Sequence, residues 1–210
     1  MPSIQKTDNF YEVGNSQRDS YSRFGKAARQ KLSEEETGQL LSLTALSLSA
    51  FNVNNCRFVV VRDPDLRKQI NKFSLSPSPI PHLASIIILC ADVTPGEAKP
   101  AMEVEEDGGG KLEATTSRKK SAQGDSFHLQ RDEALCSCGI AAQTLMLTAK
   151  AMGYDSWRLE AFDTRGVGKL INLPENFLVA MILVVGKNMK QSWQHVSQFN
   201  LHDVVVLDQF

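Results

Sequence analysis

Four cysteines and four histidines have the widest chemical reach in this chain, and their spacing limits what they can do. Cys56, Cys90, Cys136 and Cys138 lie within or beside apolar segments, and none has the CxxC spacing of a zinc or redox pair. Cys136 and Cys138 are two apart, so on a helix they point in different directions and do not bridge. The expectation is buried, reduced thiols and a reducing compartment such as the cytoplasm. His82 lies among prolines, His128 ends a polar tract, and His195 and His202 are near the C-terminus. None sits in a recognisable Ser-His-Asp setting, and all four read as surface residues. Gly108, Gly109 and Gly110 have no strand before them, so they fail the context test for a phosphate cradle. No catalytic side chain is therefore assigned.

The elements that must position any site follow from periodicity and caps. Segment 130–152 is a long helix apolar on more than one face, through Leu135, Ile140, Leu145, Met146, Leu147 and Met152. A helix apolar nearly all round is usually buried. It ends at Gly153 and runs into 153–163, GYDSWRLEAFD, which reads as a turn carrying a carboxylate. Ser33 and Glu36 form a capping box ahead of a helix with an apolar stripe of Leu40, Leu41, Leu43, Leu46 and Leu48. Three valines make 57–62 a strand, and 63–72 an exposed helix follows. The alternating prolines 77, 79 and 81 mark extended loop. Segment 85–91 reads as a buried strand. Asp163 is a cap for a short helix to residue 170, and 177–185 and 204–207 read as strands. Residues 94–125 hold few large apolar side chains, so this tract reads as a flexible insertion within one domain spanning 1–210. The order suggests an α+β or α/β sandwich of helices on a modest sheet.

Composition narrows the function classes. The chain has 210 residues, 42% hydrophobic and 22% charged, and a formal net charge of −1 from 23 basic and 24 acidic side chains. That balance argues against a nucleic-acid footprint. No uninterrupted apolar run approaches the roughly 18 residues of a membrane span, and the polar N-terminus does not read as a secretory signal.

Four blocks carry a family resemblance. They are Arg18–Phe24 (RDSYSRF), 49–58 (SAFNVNNCRF), the long helix with GYDSWRLEAFD, and the C-terminal SWQHVSQFNLHDVV. Together they resemble the flavin-dependent nitroreductase family over most of the chain, with the polar tract as the gap. The resemblance implies an α+β fold, a mixed sheet flanked by helices around a long buried helix, and two interlocking subunits that bind FMN at their interface. It implies that Arg18 and Ser20 hold the flavin phosphate, since a guanidinium presents a planar fork of donors. Ser22 takes the place of the family's second basic residue, with Arg23 adjacent. Asn52 and Asn54 fall near the isoalloxazine and ribityl groups, Asn54 replacing a longer glutamine. Glu160 and Ala161 fall near flavin N5, Ala161 replacing a glycine with freer access to positive φ. His195 stands where the family commonly has a phosphate-binding arginine, and a mostly neutral imidazole is a weaker partner. Cys56 replaces a tryptophan, and the proline-rich loop supplies no amide or lysine to the pyrimidine end. Four polar contacts weakened by about 1 kcal/mol each would lower affinity by nearly three decades.

Two functions follow from the resemblance. In the first, the chain is an FMN-dependent oxidoreductase passing electrons from NAD(P)H to a nitroaromatic, quinone or similar small acceptor, as a homodimer, with no nucleic-acid or membrane partner. The flavin supplies the chemistry and the protein supplies positioning. In the second, favoured by Ser22, Cys56, Ala161 and His195, it is a non-catalytic relative that keeps the fold, has lost tight flavin binding and acts as a binding or regulatory protein.

Overall fold

The computed structural model describes residues 30–47, 55–74, 80, 82–93, 127–159, 161–187 and 201–209. Helix α1 is Glu34–Ala45. It starts where the capping box requires: the Glu36 amide donates to Ser33 Oγ at 3.1 Å and the Ser33 amide to the Glu36 carboxylate at 2.8 Å. Leu40 is buried, whereas Leu43 and Leu46 of the expected stripe are exposed, and Leu48 lies outside the described residues. Strand β1 is Cys56–Val61, and α2 is Pro64–Phe73. Proline sits at the first turn of α2, where no amide donor is needed, and the Asp63 carboxylate accepts from the Asp65 amide at 2.8 Å. Ile70 is the buried anchor of α2.

Strand β2, Ser85–Asp92, is buried along almost its whole length. Helix α3, Phe127–Ala151, has 25 residues. Gly153 stops it at φ 78°, with the Gly153 amide donating to Lys150 O and the Tyr154 amide to Ala149 O. This pair of bonds is a Schellman end, and the left-handed backbone suits glycine. The polypeptide then forms an edge strand, β3, Asp155–Leu159. The expectation of a turn throughout 153–163 is corrected here. Trp157 and Leu159 point inward with Arg158 outward, a period of two that pairs with β4. Helix α4 is Thr164–Leu170, β4 is Phe177–Gly186, and α5 is Leu201–Val204.

The expected terminal strand at 204–207 does not form. Val204 ends a helical turn, and Val205, Val206 and Leu207 are exposed with no ladder beside them. Branched side chains favour a strand only where a neighbouring strand offers hydrogen bonds and a surface to pack on.

The strands form one four-stranded sheet in the order β1-β2-β4-β3. Every described pairing is antiparallel, so the α+β expectation holds and no parallel pair of a mixed sheet is found among the described residues. Alternate residues of the central strands feed two cores. Ile87, Leu89, Ala91, Leu183 and Val185 face α1 and α3. Ile86, Ile88, Cys90, Ile182 and Val184 belong to the opposite core, which contains Ile70 of α2 and Val167 of α4.

Helix α3 is less buried than its composition suggests. Ala134, Ser137, Cys138, Ala141, Ala142, Leu145 and Ala149 make one inward face. Leu129, Ile140 and Leu147 are exposed at 53%, 47% and 36%. By length and hydropathy alone α3 could cross a membrane, but its inward face is packed against the sheet and α1.

Candidate functional site

The best-defined part of the candidate site is the loop between β3 and α4. Ala161 is an exposed bend, and the two residues that follow it are tied down. Phe162 forms an isolated antiparallel bridge with Ser74, and the Asp163 amide donates to Phe73 O at 3.1 Å. The Asp163 carboxylate caps α4, accepting from the amides of Arg165 and Gly166 at 3.0 Å each. The C-terminus of α2 therefore sets where this loop lies.

Gly166 completes the fit. A Cβ there would collide with the Phe73 ring and the Asp163 carboxylate, so no side chain can be accepted without displacing one of them. Gly168, two residues later, has room: its added Cβ would meet Leu173 at an ordinary 3.6 Å. Because Asp163 occupies the first free amides of α4, that helix start is not left open for an anion.

A second fixed point lies where the polypeptide enters β1. Asn55 O accepts from the Asp92 amide at 2.8 Å, and Asn176 Nδ2 donates to the Asp92 carboxylate at 3.2 Å. Asn55 is 2% exposed, yet its Oδ1 has no hydrogen-bond partner. Leaving a buried acceptor unpaired costs about 1–3 kcal/mol. The family resemblance points to Asn52 and Asn54 and passes over Asn55. The signal it missed is position: Asn55 immediately precedes β1 and continues the pairing register into Asp92.

The third fixed point is at the far end of the sheet. Gln30 and Lys187 form an isolated bridge, the Lys187 amide donating to Gln30 O at 3.0 Å. Lys187 Nζ lies 4.6 Å from the Tyr154 ring centroid. The buried Tyr154 hydroxyl makes no hydrogen bond of full geometry. Its proximity is still the largest of the influences that hold the Glu36 carboxyl down to about 2, ahead of the Ser33 amide and hydroxyl. Burial, then Glu36, pushes the tyrosine up to about 12.

Of the residues expected to contact a ligand, the structure places Ala161 alone. Arg18, Ser20, Ser22, Asn52, Asn54, Glu160 and His195 lie outside the described residues, as does the tract 94–125. The described framework nevertheless constrains them. The segments before Gln30 and after Lys187 depart from one corner. The segment before Asn55 joins the opposite end of the sheet, about 30 Å away for the ten residues of β4.

The thiols depart from expectation at one position. Cys56, Cys90 and Cys138 are buried and free, but Cys136 is exposed. The Cys56 thiol is pushed far above its usual range by its hydrogen bond to Cys138 and then by burial. Burial raises Cys90 to about 12. Among the described residues no group of His, Cys, Asp or Glu could hold a metal ion.

Comparison with known proteins bears on this framework. Residues 114–187 match the model of the Nitroreductase family. The chain is 32% identical over 162 residues to Protein DrgA of Synechocystis sp., covering 77% of each sequence. It is 27% identical over 174 residues to the oxygen-insensitive NADPH nitroreductase of Helicobacter pylori, covering 78% of this chain and 81% of that one. A nitroreductase-type protein from Exiguobacterium sibiricum, crystallised in complex with FMN, superposes with a TM-score of 0.78 over 94% of this chain and 96% of its own. At 18% identity that last similarity establishes the fold alone.

Proposed function

The chain belongs to the nitroreductase family, and from that premise we propose that it is an FMN-dependent oxidoreductase that takes electrons from NAD(P)H and delivers them to a nitroaromatic, quinone or similar small acceptor. The observation that carries this reading is the exposed Ala161 bend, anchored on its α4 side by the Ser74–Phe162 bridge, inside the matched stretch 114–187. Such a bend presents surface to a ligand beside a fixed helix start. The FMN-bound relative and the NADPH nitroreductase support the choice of cofactor and electron donor.

The described residues fit a flavin at two places. Ala161 leaves an accessible surface at the loop, and Asn55 Oδ1 is a buried acceptor in want of a donor at the entry to β1. Arg18, Ser20, Ser22 and His195 would hold the phosphate, with Asn52 and Asn54 along the ring and ribityl chain and Glu160 beside Ala161. When bound, FMN supplies hydride and electron transfer between the nicotinamide and the acceptor. The protein binds, orients and shields.

The site is proposed to need two copies of the chain. Asn55, which follows Asn52 and Asn54 in sequence, and the Gln30–Lys187 bridge lie at opposite ends of one sheet. A second copy offers a direct way to bring such groups together. The outward row Leu129, Ile140 and Leu147 of α3, with Leu43 and Leu46 of α1, supplies an apolar surface for that contact.

The test is spectroscopic and anaerobic. Protein loaded with FMN should bleach on addition of NAD(P)H and recover its colour when a nitroaromatic or a quinone is added. Protein that holds FMN but never bleaches would move the assignment to a binding or regulatory role.

A further inference from the structure

The last turn of α2 ends without a glycine, and partners distant in sequence hold it. Ser74 leaves the helix in extended backbone, at φ −74° and ψ 125°. The Phe73 carbonyl, among the last of the helix, accepts from the Asp163 amide at 3.1 Å, and Ser74 bridges to Phe162. In the same turn, Asn71 Oδ1 accepts from the Ile80 amide at 3.1 Å. Ile80 stands between Pro79 and Pro81, so its amide is the single backbone donor of those three residues. Ile80 is itself buried, in the core that holds Ile70 of α2 and Val167 of α4. We propose that Asn71 is a positioning residue for the Ala161 bend: its bond to Ile80 fixes the last turn of α2, and that turn fixes Phe162 and Asp163 beside the bend. The role presupposes that the bend faces the flavin.

Asn71 acts through α2 and not by touching a ligand. Without Oδ1 the part-buried Ile80 amide loses its acceptor, and an unpaired donor costs more than the bond returned. The segment around Ile80 relaxes toward water or another acceptor, and the last turn of α2 loses one of its ties. The packing next to it leaves little slack. A Cβ on Gly166 would already collide with the Phe73 ring and the Asp163 carboxylate, so a shift of Phe73 is passed to the start of α4. The amides of Arg165 and Gly166 bond the Asp163 carboxylate, and the Asp163 amide bonds Phe73 O, so the cap moves with them. Hydride transfer tolerates little displacement: about 1 Å of misplacement can cost about a hundredfold in rate. A small movement of the bend is therefore read in the rate of flavin reduction.

The experiment compares the full chain with three variants. Asn71→Ala removes the acceptor, Asn71→Leu removes it and keeps the bulk, and Asn71→Asp keeps an acceptor oxygen in the same place. Amide hydrogen exchange is followed by nuclear magnetic resonance without flavin. In Asn71→Ala and Asn71→Leu the Ile80 and Asp163 amides should exchange about fivefold faster, the factor that loss of one hydrogen bond gives, with Leu183 of β4 unchanged. With FMN bound, anaerobic bleaching at saturating NAD(P)H, counted per bound flavin, should slow about tenfold. Asn71→Asp should restore both. Simple destabilisation would lower the amount of bound flavin and leave its rate alone. The proposal is overturned if Asp163 keeps its wild-type exchange, if Leu183 accelerates equally, or if bleaching per flavin is unchanged. A wild type that holds FMN without bleaching removes the flavin reading instead. The exchange measurement then decides the anchor by itself: faster Asp163 exchange supports it, and unchanged exchange overturns it.

Discussion

Two glycines in α4 should respond to the same substitution with opposite signs. At Gly166 an alanine methyl would overlap the Phe73 ring and the Asp163 cap, both of which fix the 161–163 loop. Overpacking costs about 1–3 kcal/mol and disturbance of an N-cap about 1 kcal/mol. Against this, alanine gains about 1 kcal/mol over glycine in a helix. The net for Gly166→Ala is a loss of about 2 kcal/mol, which in a chain of this size lowers Tm by about 4–8 °C. At Gly168 the methyl meets Leu173 at normal contact distance, so only the helix gain remains. Gly168→Ala should raise stability by about 0.5–1 kcal/mol. Differential scanning calorimetry of the two variants measures both. A further change, Phe73→Leu, should recover part of the Gly166→Ala loss but should not improve the wild type. Equal shifts for the two alanine variants, or a Gly166→Ala protein as stable as wild type, would refute the claim that Phe73 packs where Gly166 has no side chain.

Other expectations rest on separate parts of the fold. Ser33→Ala removes the half of the capping box in which Ser33 Oγ accepts from the Glu36 amide and should cost about 1 kcal/mol in urea unfolding. Leu145→Ala, in the core under α3, should cost about 2–5 kcal/mol by the same measurement. Glu36 has a folded-state pKa depressed from 4.5 to about 2, so its contribution is present above about pH 4.5 and is lost as pH falls toward 2. Glu36→Gln should flatten that acid limb of the stability–pH curve while Glu35→Gln leaves it unchanged. Ile140→Asp with Leu147→Asp should convert the proposed dimer to a monomer in light scattering while preserving the far-ultraviolet circular dichroism, because both side chains are exposed on the single chain.

What could be read from the residues depended on whether the deciding contacts were local. The capping box at Ser33 and the Asp163 cap are short-range devices, and each formed where the sequence places it. Strand β3 was hidden because its five residues follow a glycine turn and alternate only weakly. Its identity comes from the ladder to β4, a partner distant in sequence. Val204–Leu207 erred the other way: strong strand formers found no edge to pair with. The apolarity of α3 was legible, but which of its faces points inward depends on the sheet beneath it. At the site, Asn55 and the Gly166–Phe73 contact depend on the same kind of distant neighbour, β2 for one and α2 for the other. The blocks expected to contact a ligand rest on family resemblance, because no spacing of histidines, cysteines or carboxylates defines a reaction by itself.

The most direct measurement of the central claim is FMN binding by the purified full chain. Equilibrium dialysis should show the yellow cofactor retained, and saturating FMN at about one hundred times its Kd should stabilise the fold by about 2.7 kcal/mol, visible as a rise in Tm. A colourless protein that takes up no FMN at millimolar excess, and whose melting does not move, would contradict the account.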